Sequence, residues 1–90
     1  MSTETLELAF KLVADEIMSA EELFPEWPID LVHGAAIVAE ESGELIRAAM
    51  HCQWDYVGGN IENVKTEAIQ TAAMAIRMLY NCLERDKNES

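Results

Sequence analysis

The sequence predicts an all-α domain of three main helices, an antiparallel helical bundle whose core is completed by association of copies. Two observations predict the helices. Apolar residues recur at three- and four-residue steps through three long stretches. Proline and glycine are few, and the only clear breaks are Phe24-Pro25-Glu26-Trp27-Pro28 and Asp55-Tyr56-Val57-Gly58-Gly59. A third observation predicts the association. The chain has 90 residues, half of them hydrophobic, which suits one domain with a modest core of its own.

The first helix is expected from Thr3 to about Leu23. Leu6, Ala9, Phe10, Val13, Ile17 and Ala20 form its apolar stripe, and Thr3 is placed to cap it, with Glu4 and Glu7 near the positive end of the dipole. The two prolines then enforce an extended connection. Trp27 reads as a lid packed over the helix junction, in preference to a stacking platform for a ligand. Asp30 caps the second helix, expected from Leu31 to about Trp54. The mid-helix Gly43 costs roughly 1 kcal/mol relative to alanine and suggests a close neighbour. Asn60 caps the third helix, expected to run to about Glu84. Residues 85–90 read as a frayed polar tail. One domain spans 1–90, with no repeats or linkers.

Charge narrows the function classes. The net charge of -11 argues against a nucleic acid polymer as partner, since neutralising phosphates along a strand needs many Lys and Arg. It disfavours anionic membrane surfaces for the same reason. No apolar run is long enough to span a membrane. The acidic N-terminus lacks the basic start and apolar core of a signal peptide, so the expected location is cytoplasmic. Cys52 and Cys82 lack CxxC spacing and are expected to be reduced packing residues.

The chemistry-bearing stretch is Glu40-Glu41-Ser42-Gly43-Glu44, set in a helix that is otherwise largely apolar. Charges in such a helix are costly unless paired, solvated or bound to a metal. Glu41 and Glu44 are one turn apart, as are Glu67 and Gln70 on the third helix. Glu44 lies about ten residues before the glycine turn and Glu67 about eight after it, so an antiparallel pairing puts them at similar heights at ~1.5 Å per residue. The result is a cluster of hard oxygen donors of the kind Mg²⁺ takes and shares with phosphates. The competing reading is a solvated face held by i, i+3 and i, i+4 pairs such as Glu44–Arg47. A bare Glu-Glu-x-x-Glu is common on helices; a second half at suitable spacing tips the balance to metal.

Glu-Glu-x-x-Glu followed by Glu-x-x-Asp resembles the signature of the MazG-like all-α nucleoside triphosphate pyrophosphohydrolases. Glu40-Glu41-Ser42-Gly43-Glu44 matches the first half, and Glu67-Ala68-Ile69-Gln70 matches the second except for its last residue. The resemblance runs from about His33 to Leu79 and is similar to the small phage and bacterial type. It implies hydrolysis of a nucleoside or deoxynucleoside triphosphate to a monophosphate and pyrophosphate, with Mg²⁺ (or Mn²⁺) as cofactor. It implies metal binding by Glu41, Glu44 and Glu67, with Glu40 on a second metal or the attacking water. Gln70 departs from the family aspartate. Its carbonyl can ligate Mg²⁺, its amide can point at the site instead, or it can serve core hydrogen bonding alone. Hence the rival expectation is a MazG-like module that binds nucleotide or a partner protein with weakened or no catalysis. Lys65, Arg77, His33 and Trp54 are candidate substrate contacts. The bland alternatives are an ion pair for each cation, capping or core packing for His33 and plain packing for Trp54. A homodimer or homotetramer is expected, because the second and third helices carry more apolar surface than the first can cover.

Overall fold

The computed structural model describes residues 1–54 and 58–89. The described residues form three helices and no strand: α1 (Thr3–Leu23), α2 (Leu31–Gln53) and α3 (Ile61–Glu89). The all-α class is as expected. The expected turn at Asp55-Tyr56-Val57 lies outside the described residues.

Each helix start follows from a side chain that satisfies the orphan amides there. Ser2, not Thr3, caps α1. Its backbone is extended, its hydroxyl oxygen accepts from the Thr5 amide at 3.1 Å, and Thr3 is already helical. Asp30 caps α2 as expected, accepting from the Val32 and His33 amides at 2.9 and 3.4 Å. Asn60 Oδ1 accepts from the Asn63 amide at 2.9 Å and so opens α3. Just before it, Gly58 has φ +84°, a conformation that favours glycine. Gly59 lies so close to the end of α2 that a Cβ there would collide with the His51 carbonyl oxygen. The glycine pair thus lets the chain fold back onto α2.

The far end of α3 corrects the expected frayed tail. The helix continues to Glu89. No glycine or proline stops it after Glu84, and Arg85 Nη2 donates to the Ile29 carbonyl of the α1–α2 connection. That tether gives the last turns a partner within the fold.

α3 is the shared spine. Both other helices pack on it, α2 antiparallel and α1 parallel, while α1 and α2 do not pack on each other. A groove therefore opens between α1 and α2, floored by α3. The molecule is elongated, 50 × 31 × 24 Å. Its core is sparse: among the described residues only Ala20 and Ala73 are buried apolar side chains. Leu79, Tyr80 and Leu83 on α3 and Val32 and Ile46 on α2 are each more than half exposed. No helix among the described residues is long and apolar enough to cross a membrane.

The connection between α1 and α2 is pinned from two sides. Trp27 rests on Gly34, where a Cβ would come 2.9 Å from the indole nitrogen. The Arg77 guanidinium stacks over the indole ring, 5.1 Å from its centroid. Trp27 is thus the junction lid that the sequence suggests, held by close contact with Gly34 and by the Arg77 cation.

Candidate metal centre

The site is built by two helices in antiparallel register. Glu41 and Glu44 project from successive turns of α2 towards α3, where Glu67 meets them at matching height. One carboxylate oxygen of each lies within 4.8 Å of the others, and all three side chains are half-buried. Glu67 and Glu44 share a side-chain hydrogen bond. Gln70 sits one turn further along α3. In the amide orientation that satisfies its neighbours, Nε2 donates to Glu67 Oε2 and to Glu41 Oε2, each at 3.3 Å. Gln70 therefore belongs to the cluster and not to apolar packing.

The electrostatics are those of crowded like charges. Burial, then Glu44, Glu67, Glu40 and Glu16 in turn, hold the Glu41 carboxyl above its ordinary value. Burial, the Glu44 charge and the hydrogen bond with Glu44 do the same to Glu67. Close carboxylates disfavour one another's ionised form. Among the described residues no lysine or arginine is ion-paired to any of the three. The Gln70 amide offers the cluster donors but no charge.

This donor set fits a hard divalent cation. Mg²⁺ holds oxygens at about 2.0–2.1 Å, which requires donors within roughly 4.2 Å of each other, a small side-chain adjustment from the observed spacing. Glu41, Glu44 and Glu67 would supply three oxygens, and a half-turn of the Gln70 amide would present its carbonyl as a fourth. The cation would remove the repulsion that raises Glu41 and Glu67.

Beside the cluster runs the groove between α1 and α2, a cavity of about 490 Å³. Glu41 and Gln70 stand at its acidic part, Phe24, Trp27 and His33 along its walls, and Met74 and Arg77 on its floor. Of the expected substrate contacts, His33 and Arg77 reach this groove. His33 is exposed and its backbone amide completes the Asp30 cap. Arg77 is 5 % exposed and its donors are committed within the chain. Nη2 donates to the Phe24 carbonyl at 2.6 Å and to Glu21 Oε2 at 3.3 Å, and Nη1 faces the Met74 sulfur. It braces the connection in place of clamping a phosphate.

Lys65 and Trp54 stand outside the groove. Lys65 pairs with Glu62 at 3.0 Å and lines a separate cleft with Ala9 and Leu12 of α1. Trp54 is the exposed C-cap of α2. Glu40 is exposed on the outer side of α2, beside the cluster but outside the trio. Glu16 of α1 is a groove residue that the motif reading misses. No pattern on α1 marks it, because its relation to Glu41 runs across the groove. Gly43 also departs from expectation, for a Cβ there would meet nothing within 4 Å. Both cysteines are free.

Compared with known proteins, the chain matches no family model, no curated protein and no solved structure. Its site is accordingly read from its own residues.

Proposed function

We propose that the protein is a Mg²⁺-dependent nucleotide pyrophosphohydrolase, cleaving a nucleoside or deoxynucleoside triphosphate to the monophosphate and pyrophosphate. The observation that carries this reading is the convergence of Glu41, Glu44, Glu67 and Gln70 at one end of a ligand-sized groove. The resemblance to the MazG-like pyrophosphohydrolases supports it from the motif side. Bound there, a divalent cation supplies charge neutralisation for the triphosphate and a lowered pKa for water. The chain's own residues hold and orient. Glu41 and Glu44 fix the donor set from α2 while Glu67 and Gln70 fix it from α3, so a rigid helix pair sets the register. The groove receives the nucleoside, with Trp27 and Phe24 as apolar walls and His33 as a polar group at the rim. In the reaction a water oxygen bonds to the α-phosphorus, the bond to the β-phosphate oxygen breaks, and pyrophosphate leaves. Manganese is expected to substitute.

A second reading has one observation in its favour. Without a metal, the Gln70 orientation that satisfies Glu41 and Glu67 turns its amide nitrogen, not its oxygen, towards them. A site fixed in that state binds a nucleotide or a protein partner with weak turnover or none. In either case the chain works as a homodimer or homotetramer, because its own core buries so little apolar surface. A role in the nucleotide pool places it in the cytoplasm.

The test is pyrophosphate release from each common NTP and dNTP with Mg²⁺ or Mn²⁺. Equal amounts of monophosphate and pyrophosphate are expected for the preferred substrate. Monophosphate without pyrophosphate excludes the proposed bond cleavage, and metal-dependent binding without turnover selects the second reading.

A further inference from the structure

Away from the groove, the outer face of α2 has no role in the monomer. Val32, Ala36, Ala39, Gly43, Ile46 and Met50 alternate at four- and three-residue steps, the spacing of a helix–helix seam. All six are exposed, Val32 at 78 % and Ile46 at 59 %. Gly43 is at the middle of the seam with open space where its Cβ would be. Arg47 borders it. Among the described residues it is the one lysine or arginine with neither an ion pair nor a hydrogen bond.

We infer that this face binds a second copy of the chain, α2 against α2, antiparallel about a two-fold axis near Gly43. Shape and charge both select this arrangement. After Val32, the small residues Ala36, Ala39 and Gly43 come first along the seam and the large Ile46 and Met50 follow. Antiparallel pairing centred on Gly43 sets Ala36 against the partner subunit's Met50, and the two glycines meet where the helices are closest. Glu40 and Arg47 lie three residues before and four after Gly43, on the same side of the seam. The two-fold therefore brings Glu40 to the partner subunit's Arg47, twice per dimer. A parallel pairing would oppose methionine to methionine and carry the two Glu40–Arg47 flanks to opposite sides of the seam, where neither charge meets its complement. The contact also touches the site. Glu40 adds to the negative charge that burdens Glu41, and the partner subunit's Arg47 offsets it. This inference rests on the assembly of copies proposed above and not on the catalytic reading.

The test is sedimentation or light scattering of the full chain over a concentration series. The wild type is expected to associate as a dimer, or as a tetramer of such dimers. Arg47→Glu and Glu40→Arg should each raise the dissociation constant about tenfold or more, and the double exchange should restore it. Gly43→Leu should dissociate the dimer while helicity and melting remain those of a folded chain, since the added side chain meets open space within one copy. Association unchanged in Gly43→Leu and Arg47→Glu overturns this face but leaves assembly standing. A monomeric wild type overturns both.

Discussion

The two ends of the groove solve the burial of charge in opposite ways. At the Trp27 end, Arg77 is almost fully buried, yet it has a carboxylate, a backbone carbonyl and an aromatic face around it. At the other end, three half-buried glutamates face one another with only a neutral amide between them. A buried charge with its partners in place is structural and closed. A cluster whose charges reinforce one another keeps its carboxyls above their ordinary value. Perturbed carboxyls of this sort mark functional sites more often than structural ones.

The sharpest way to break the contrast is at the acidic end. Glu41→Gln and Glu67→Gln should each lower kcat by about 10²–10³-fold, the loss typical of removing one electrostatic group from a phosphoryl-transfer type site. Both should melt no lower than the wild type in the absence of metal, because each removes a repelling charge. Full turnover in either variant would detach the cluster from the chemistry.

At the closed end the pattern should reverse. Arg77→Met should cost about 2–3 kcal/mol by losing the bond to the Phe24 carbonyl and the stack over Trp27. Urea unfolding measures this, and added Mg²⁺ should leave the difference unchanged. A stability equal to that of the wild type would show that Arg77 is not the brace.

Gln70 tests whether the acidic end can take another charge. Gln70→Asp should tighten Mg²⁺ binding about tenfold, read by titration calorimetry, and lower the metal-free melting temperature. Unchanged metal affinity would place the amide outside the coordination sphere.

The smallest effect expected is in pH dependence. Glu41 and Glu67 are raised above the ordinary 4.5 in the folded state. The folded protein therefore holds those protons more tightly than the unfolded chain. Their contribution to stability is full below 4.5 and is lost as pH climbs through the raised values. Relative to Glu41→Gln, metal-free wild type should lose melting temperature as pH rises above 4.5. Mg²⁺ should abolish that difference; parallel curves without metal would remove the premise.

Much of this was legible in local chemistry. Asp30, Asn60, the two prolines and Gly58–Gly59 mark helix ends by what their side chains or backbones can do, and the structure uses each of them so. The meeting of Glu44 with Glu67 follows from counting residues to the turn, since rise per residue is fixed. What was not legible depends on azimuth and on distant partners. Helical periodicity tells which residues share a face but not which face turns to which neighbour. Lys65 thus ends in a different cleft, and Gly43 faces outward. Arg77 shares the polar line of Glu67, but its acceptors lie more than 50 residues away, in a connection that no pattern on α3 announces. Glu16 enters from α1 because α1 lies across the groove, a relation that exists only in three dimensions.

The separation of α1 from α2 has a consequence for how such a protein can change over generations. The two walls of the groove meet only through α3 and the tethered connection, so each can be altered with little effect on the other. Substitutions around Phe24 and Trp27 can reshape what the groove admits while Glu41, Glu44 and Glu67 stay in register. On the proposed function, selectivity and reactivity would then be inherited as nearly independent traits. A chain of this size could explore new ligands without first dismantling that proposed chemistry.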